Sequence, residues 1–195
     1  MMNTGAVFEE TLKNSCEYYK YRGIALIHKI PTPWSVTYDK KNFRVKNAYP
    51  QEKSSVDFEG VWHGRSVAFE AKSTRERKRF DLKNIQQHQI DYLLQHQDQG
   101  GISFLLVEFS NLGETYLIFV DQFNDWVQLA KNGGRRSIPY DWIQMNCCIV
   151  VPERAPLDFI RVLERERSNE AKRISEPGEK STRKFGYPFP TAKDI

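Results

Sequence analysis

Two acids and a lysine stand at a spacing that can bind a metal ion and cut a phosphodiester. They lie in Asp57-Phe58-Glu59-Gly60 and Phe69-Glu70-Ala71-Lys72. The segment between reads as a β-hairpin: Val56 to Trp62, a turn at His63-Gly64, then Arg65 to Lys72. Side chains two apart on a strand share a face. Glu70 and Lys72 therefore project together, Phe69 and Ala71 face the other way, and the turn folds Asp57 back beside the pair. Converging carboxylates repel unless a cation lies between them, when they become ligands. Asp57 and Glu70 supply two oxygens to a hard cation such as Mg2+, which keeps several waters, and a strand carbonyl near Ala71 supplies a third. Such a metal eases deprotonation of water and polarises a phosphate. Lys72 cannot ligate while protonated; it can orient the attacking water or offset charge in the transition state. The pattern points to a metal-dependent phosphodiesterase. The plainer alternative is an exposed cross-strand ion pair, contributing about 0–1 kcal/mol.

The elements that must position these residues are legible in outline. An amphipathic helix is predicted over about Thr4 to Arg22, followed by a strand from Ile24 to Lys29. The stretch Pro31 to Pro50 lacks a sustained apolar face, and the hairpin comes next. Asp81 or Asn84 is placed to cap a helix running to about Gln97, with Leu82, Ile85, Gln89, Tyr92 and Leu93 near one face. Gly100-Gly101 ends that helix. Two apolar strands, Ile102 to Phe109 and Thr115 to Asp121, turn at Asn111-Leu112-Gly113. A short helix around Trp126 and a strand near Cys147 to Val151 complete the core. This order predicts an α/β fold: a mixed central sheet with helices on both sides.

Composition agrees with such an enzyme. The chain has 195 residues, 39% of them hydrophobic, enough for one domain with a substantial core. Its net charge of +4 is compatible with a polyanionic partner without identifying one. Three cysteines, two of them adjacent at Cys147-Cys148, are no disulfide framework and fit a reducing, cytoplasmic location. The four histidines and the cysteines give no zinc spacing. No apolar run approaches the roughly 20 residues of a membrane helix, so no membrane is expected among its partners. The domain is expected to span 1–163, with an insert at about 31–50. A helix from about Leu157 should fray into a charged, flexible tail over 164–195.

The spacing of the acids and lysine resembles the PD-(D/E)xK nuclease motif. The wider chain, from Gly5 to near Val151, resembles the RecU family of Holliday-junction resolvases. The matching blocks are Gly5-Ala6-Val7-Phe8-Glu9-Glu10, Ile24-Ala25-Leu26-Ile27-His28-Lys29-Ile30-Pro31-Thr32-Pro33, Ser54-Ser55-Val56-Asp57-Phe58-Glu59-Gly60, Phe69-Glu70-Ala71-Lys72, His88-Gln89-Ile90 and Gly101-Ile102-Ser103-Phe104. The resemblance implies a restriction-endonuclease-like sheet with a projecting, stalk-like insert. It also implies a Mg2+-dependent endonuclease, with Mn2+ able to substitute, that resolves four-way DNA junctions by paired symmetric nicks in recombination and repair. The implied metal ligands are Asp57 and Glu70, and the catalytic lysine is Lys72. A hydroxyl residue two before the first acid, usually threonine, is Ser55 here, and a glutamine on the following helix is Gln89. The motif's usual proline is Val56. Related archaeal resolvases carry a first-helix glutamate in a similar Gly-x-x-x-Glu context, which falls on Glu9; the alternative is an acid that merely favours the positive helix N-terminus.

Two basic segments are candidates for DNA contact. Lys40, Lys41, Arg44 and Lys46 are interleaved with Trp34, Tyr38, Phe43 and Tyr49, in the region that the resemblance makes a stalk entering the junction. Arg75, Arg77, Lys78 and Arg79 follow Lys72, where a backbone leading to the metal would lie. The plainer reading of the first is a solvent-exposed hairpin with a few hydrophobic anchors, and of the second a solvated face; the second's place beside the site favours phosphate contact. One chain holds one Asp57/Glu70/Lys72 set, and two symmetric nicks need two, so a homodimer is expected; recombination proteins are possible further partners. Two other functions fit the same residues: a PD-(D/E)xK nuclease acting on duplex DNA, and a non-catalytic DNA-binding recombination protein.

Overall fold

Strand alternation and helix capping set the elements of this chain. The computed structural model describes residues 4–31, 34–39, 42, 44–50 and 55–175. The first half runs α1 (Thr4–Tyr21), β1 (Leu26–Lys29), β2 (Trp34–Asp39), β3 (Arg44–Pro50), β4 (Phe58–Trp62), β5 (Arg65–Thr74), β6 (Arg79–Asp81), a 3-10 turn (Leu82–Asn84) and α2 (Gln87–Asp98). The second half runs β7 (Ile102–Phe109), β8 (Glu114–Phe119), α3 (Val120–Lys131), β9 (Ser137–Pro139), α4 (Tyr140–Asn146), β10 (Cys148–Val150) and α5 (Phe159–Ser175).

Six strands form one sheet in the order β1-β4-β5-β7-β8-β10. Only the β5–β7 pair is parallel. That pair needs a crossover, which α2 supplies. Alternation along β5 sorts the two faces. Val67, Phe69 and Ala71 pack with Phe8, Leu12 and Tyr19 of α1 and with Phe159 of α5. Ala68 packs on Leu93 of α2. Leu105 and Val107 of β7 continue the second face, against Phe123 and Trp126 of α3. The expected mixed sheet flanked by helices is the architecture found.

The β4–β5 hairpin turns at His63 and Gly64, both at positive φ (47° and 75°). Such a pair matches the twist of the flanking strands in a two-residue loop. Its cross-strand partners Phe58 and Phe69 stack at 4.8 Å. Phe69 stacks in turn on Phe104 at 4.8 Å, and Phe159 meets Phe69 edge-on. This ladder ties three strands together beside the two acids, because Asp57 precedes Phe58 and Glu70 follows Phe69. Across the same layer Tyr19 donates to Asp158 (3.1 Å), and the Leu157 amide donates to Ser15 Oγ (2.9 Å). Asp158 also caps α5 through the Arg161 amide. Burial alone would raise the Asp158 carboxyl, but hydrogen bonds from Arg154 outweigh it and hold it below its ordinary range.

Several boundaries differ from the sequence reading, each for a local reason. Leu82–Asn84 forms a separate turn, Ile85 is extended, and the cap of α2 is Gln86 rather than Asp81 or Asn84. β8 ends at Phe119 because Val120 starts α3. Cys147 follows α4 and only Cys148 enters β10. The short β6–β9 pair and α4 were not foreseen, since three-residue strands have no measurable periodicity. The insert forms its own antiparallel pair, β2 with β3, carrying exposed Arg44 and Lys46. Lys40, Lys41 and Phe43 lie outside the described residues. The charged stretch from Glu164 is helical to Ser175, and 176–195 lie outside the described residues.

Gly60 pairs with Ile27 where β1 meets β4. A Cβ there would sit 2.0 Å from the Leu26 carbonyl oxygen and 2.5 Å from the Ile27 Cα. Both are backbone atoms, so the strands themselves must part. Gly60→Ala is expected to destabilise the protein by about 1–3 kcal/mol, the usual cost of overpacking. Thermal unfolding measures it, and an unchanged midpoint would show that β1 tolerates the displacement.

Candidate active site

β5 brings Glu70 and Lys72 to the α2 face of the sheet, and the segment leading into β4 lays Asp57 beside them. Asp57 Oδ2 accepts the Ala71 amide at 3.1 Å. The Asp57 carbonyl accepts the Ile30 amide at 2.8 Å, which joins the end of β1 to the site. Lys72 Nζ lies 2.6 Å from Glu70 Oε1 and 3.9 Å from Asp57 Oδ2. The three groups read as convergent from the sequence are therefore together.

Glu70 is the unusual member. Its side chain has no exposed surface. Burial, and next the Asp57 carboxylate, push its pKa up to about 7 against the pull of Lys72. Burial alone would lower Lys72, but the Glu70 carboxylate outweighs it and raises the ammonium above its ordinary value. Oε1 of Glu70 receives Lys72 and Gln89, whereas the equally buried Oε2 receives no donor among the described residues and has only the neighbouring Asp57 carboxyl to share a proton with. An orphaned buried carboxylate oxygen costs free energy unless something else completes it.

Gln89 is placed by α2. Its Nε2 donates to Glu70 Oε1 at 2.7 Å, and its Oε1 accepts the Gln86 amide at 2.9 Å. One side chain thus caps the helix and grips the buried acid. Ser55 lies farther out and hydrogen-bonds Tyr92, whose hydroxyl donates to Glu59. Glu9 stands in the second turn of α1, since the first turn holds no acid, and it ion-pairs with Lys29. Its charge still reaches Lys72 as a weak influence. Lys29 and Tyr92 were not singled out from the sequence. Periodicity placed Tyr92 on the Gln89 face of the helix without giving it a role, and nothing in its spacing marks Lys29; the β1–β4 pairing and the α2 packing bring them in.

The basic segment after β5 is exposed but anchored. Arg77 donates to the Asn111 carbonyl (2.9 Å), Asn111 donates to the Arg75 carbonyl (2.7 Å), and the Lys78 carbonyl accepts the Tyr140 amide. Arg79 pairs with Asp81 at 3.1 Å. Arg75 and Lys78 are exposed on the same loop.

The donor set suits a hard divalent cation. Among the described residues no three His, Cys, Asp or Glu side chains gather into a metal cluster. A cation that keeps several waters needs only one or two carboxylates. Asp57 and Glu70 are of the right type for that, and Glu70 Oε2 is a buried carboxylate oxygen that accepts no hydrogen bond among the described residues.

Gln89→Ala would strip Glu70 of a hydrogen bond and leave the Gln86 amide uncapped. A loss of about 1–3 kcal/mol is expected for leaving buried polar groups unsatisfied. Urea unfolding without metal checks it; wild-type stability would mean that the amide does not hold the acid.

The chain's relatives have consistent names. The family model for Recombination protein U, RecU, matches residues 3–165. A Holliday junction resolvase RecU of a Geobacillus species is 37% identical over 168 residues, covering 84% of both chains. One from Streptococcus gordonii is 38% identical over 166 residues, covering 81% of this chain and 82% of that protein. Among solved structures, the Holliday junction resolvase Hjc of Archaeoglobus fulgidus aligns with 62% of this chain and 75% of its own, at 10% identity and a TM-score of 0.37. With a family model spanning most of its length and relatives above 30% identity across more than four-fifths of it, the chain belongs to the RecU family.

Proposed function

We propose that this protein is a divalent-metal-dependent, structure-selective endonuclease, a crossover junction endodeoxyribonuclease that resolves four-way DNA junctions by paired symmetric nicks in recombination and repair. The observation that carries the chemistry is the fully buried Glu70, with one unpartnered oxygen, set against Asp57 and Lys72. The junction as substrate rests on the relatives, which are named Holliday junction resolvases.

Asp57 and Glu70 hold Mg2+, and Mn2+ substitutes because both accept an oxygen-rich shell. When bound, the ion activates water and polarises the scissile phosphate. The Lys72 ammonium faces the same place and offsets charge that grows on the phosphate in the transition state. Gln89 keeps Glu70 oriented through its amide. Glu9 and Ser55 border the site, Glu9 through the field it places on Lys72. Arg44 and Lys46, with Lys40 and Lys41, contact phosphates at the junction centre; Arg75, Arg77, Lys78 and Arg79 contact the strand that leads to the metal. Nothing in the helices spans a membrane: among the described residues none is long and apolar enough. We place the enzyme in the cytoplasm, with recombination proteins as further partners.

A synthetic mobile junction, compared with linear duplex with and without Mg2+, tests the reading. Metal-dependent nicking of the junction is expected. Equal cutting of duplex would make this a general nuclease, and binding without cleavage a non-catalytic protein. Asp57→Asn and Glu70→Gln should each abolish cleavage with junction binding largely intact. Lys72→Ala should lose about 10²-fold or more in turnover, as when a transition-state donor is removed, without loss of metal affinity.

Two nicks need two sites, and one chain carries one set. We expect a two-fold homodimer, the commonest closed assembly. Sedimentation at micromolar concentration measures it; a strict monomer, with and without junction DNA, that still nicks in pairs would refute the arrangement.

A further inference from the structure

Behind α2, on the side away from Glu70, lies a groove of about 710 Å3. Its rim carries Arg79, Lys83, Lys131 and Arg136, and only one acid, Asp81, lines it. The two basic pairs come from segments some fifty residues apart. The small β6–β9 sheet brings them together by pairing Phe80 with Ile138, and the Leu82 amide donates to the Arg136 carbonyl. Asp81 is engaged by Arg79 at 3.1 Å and loosely by Lys83 at 3.9 Å. Lys131 and Arg136 are exposed and make no ion pair among the described residues. The floor is mixed: Ile85, Ile90 and Val127 are 4%, 3% and 8% exposed, while Leu82 and Ala130 are half-buried and show part of their apolar surface.

Those features select the ligand. Four cations on the rim against one acid call for an anionic ligand, and no aromatic ring lines the groove on which a base could stack. A sugar–phosphate chain offers anions to the rim and sugar carbons to the mixed floor. Four basic residues against one acid leave an excess of three positive charges at the groove, a local field that attracts a polyanion. The plain alternative for Lys131 is that it complements the C-terminal pole of α3, but that leaves Lys83 and Arg136 without a reason to converge.

We propose that this groove binds the sugar–phosphate backbone of a junction arm, a second DNA contact separate from the scissile phosphate. The proposal rests on the resolvase reading above. Gln89 touches Glu70 from one side of α2, while Gln87 and Ile90 line the groove from the other. The two places are therefore about one helix width apart, on the order of 10 Å, a span of a few nucleotides. Backbone held in the groove fixes where the arm leaves the protein, and so which phosphate reaches Asp57, Glu70 and Lys72.

The test is a triple variant, Lys83→Ala/Lys131→Ala/Arg136→Ala, with the conservative triple Lys83→Arg/Lys131→Arg/Arg136→Lys beside it. Junction affinity is measured without divalent metal across a salt series. Each lost phosphate contact lowers the slope of log affinity against log salt by about 0.9, so the alanine triple should lose two to three in slope and at least tenfold in affinity. The conservative triple should retain both. Should the alanine triple unfold, the single Lys83→Glu serves, since Lys83 is 83% exposed. An unchanged affinity and slope overturns the groove, including the case in which it docks an acidic protein instead. Wild-type protein that shows no preference for junction over duplex defeats the resolvase reading; wild type that shows it, matched by the alanine triple, defeats the groove alone.

Discussion

A carboxylate with no exposed surface sits in the middle of the sheet, and the rest of the structure is arranged around keeping Glu70 there. Burying an ionised acid is costly unless it is paired and hydrogen-bonded. Here the compensation is partial by design of the site. Lys72 and Gln89 share Oε1, the Asp57 carboxylate adds repulsion, and Oε2 is left bare. A structure that wanted only stability would place an apolar residue at this position, as it does at Ala68, two residues back on the same face. Holding Glu70 buried against Asp57 demands a rigid scaffold.

That rigidity comes from the opposite face. Phe58, Phe69 and Phe104 stack across three adjacent strands, with Phe159 of α5 against them. The strand positions that alternate with this ladder carry the chemistry. Because β5 is buried on both faces, neither Phe69 nor Glu70 can move without disturbing the other. α1 and α5 clamp the ladder through Tyr19, Ser15 and Asp158, and α2 clamps the acid through Gln89. The helix dictates the last of these: one glutamine closes its N-terminus and reaches the sheet, so the cap and the hold on the buried acid share a residue.

The charge distribution has the same economy. Positive groups stand on both sides of α2: Lys72 at the site, and Arg79, Lys83, Lys131 and Arg136 in the groove behind. The chain connecting them is short, running from β5 through the pinned loop Arg75–Lys78 into β6. A polyanion would meet cations at both places. Such an arrangement suits recognition of shape over base sequence, since phosphates carry no sequence information directly.

How much of this was legible in the sequence varies with range. Local rules were enough for the hairpin: alternation put Glu70 and Lys72 on one face, and His63-Gly64 marked the turn. They also gave the long apolar strands, the crossover helix and the mixed sheet. Short elements were missed, because β6, β9 and the Gln86 cap carry no periodic signal and depend on partners elsewhere in the chain. Gln89 was identified from the family resemblance, but its two hydrogen bonds, one from the Gln86 amide and one to Glu70, were not visible. The sequence by itself determined which residues could do the chemistry, since residue type and two-residue spacing are local. Only the tertiary structure decided that Glu70 is wholly buried with one bare oxygen, that Glu9 pairs with Lys29, and that two distant basic segments share a groove. Burial and pairing are properties of packed neighbours far apart in sequence, and no local pattern encodes them.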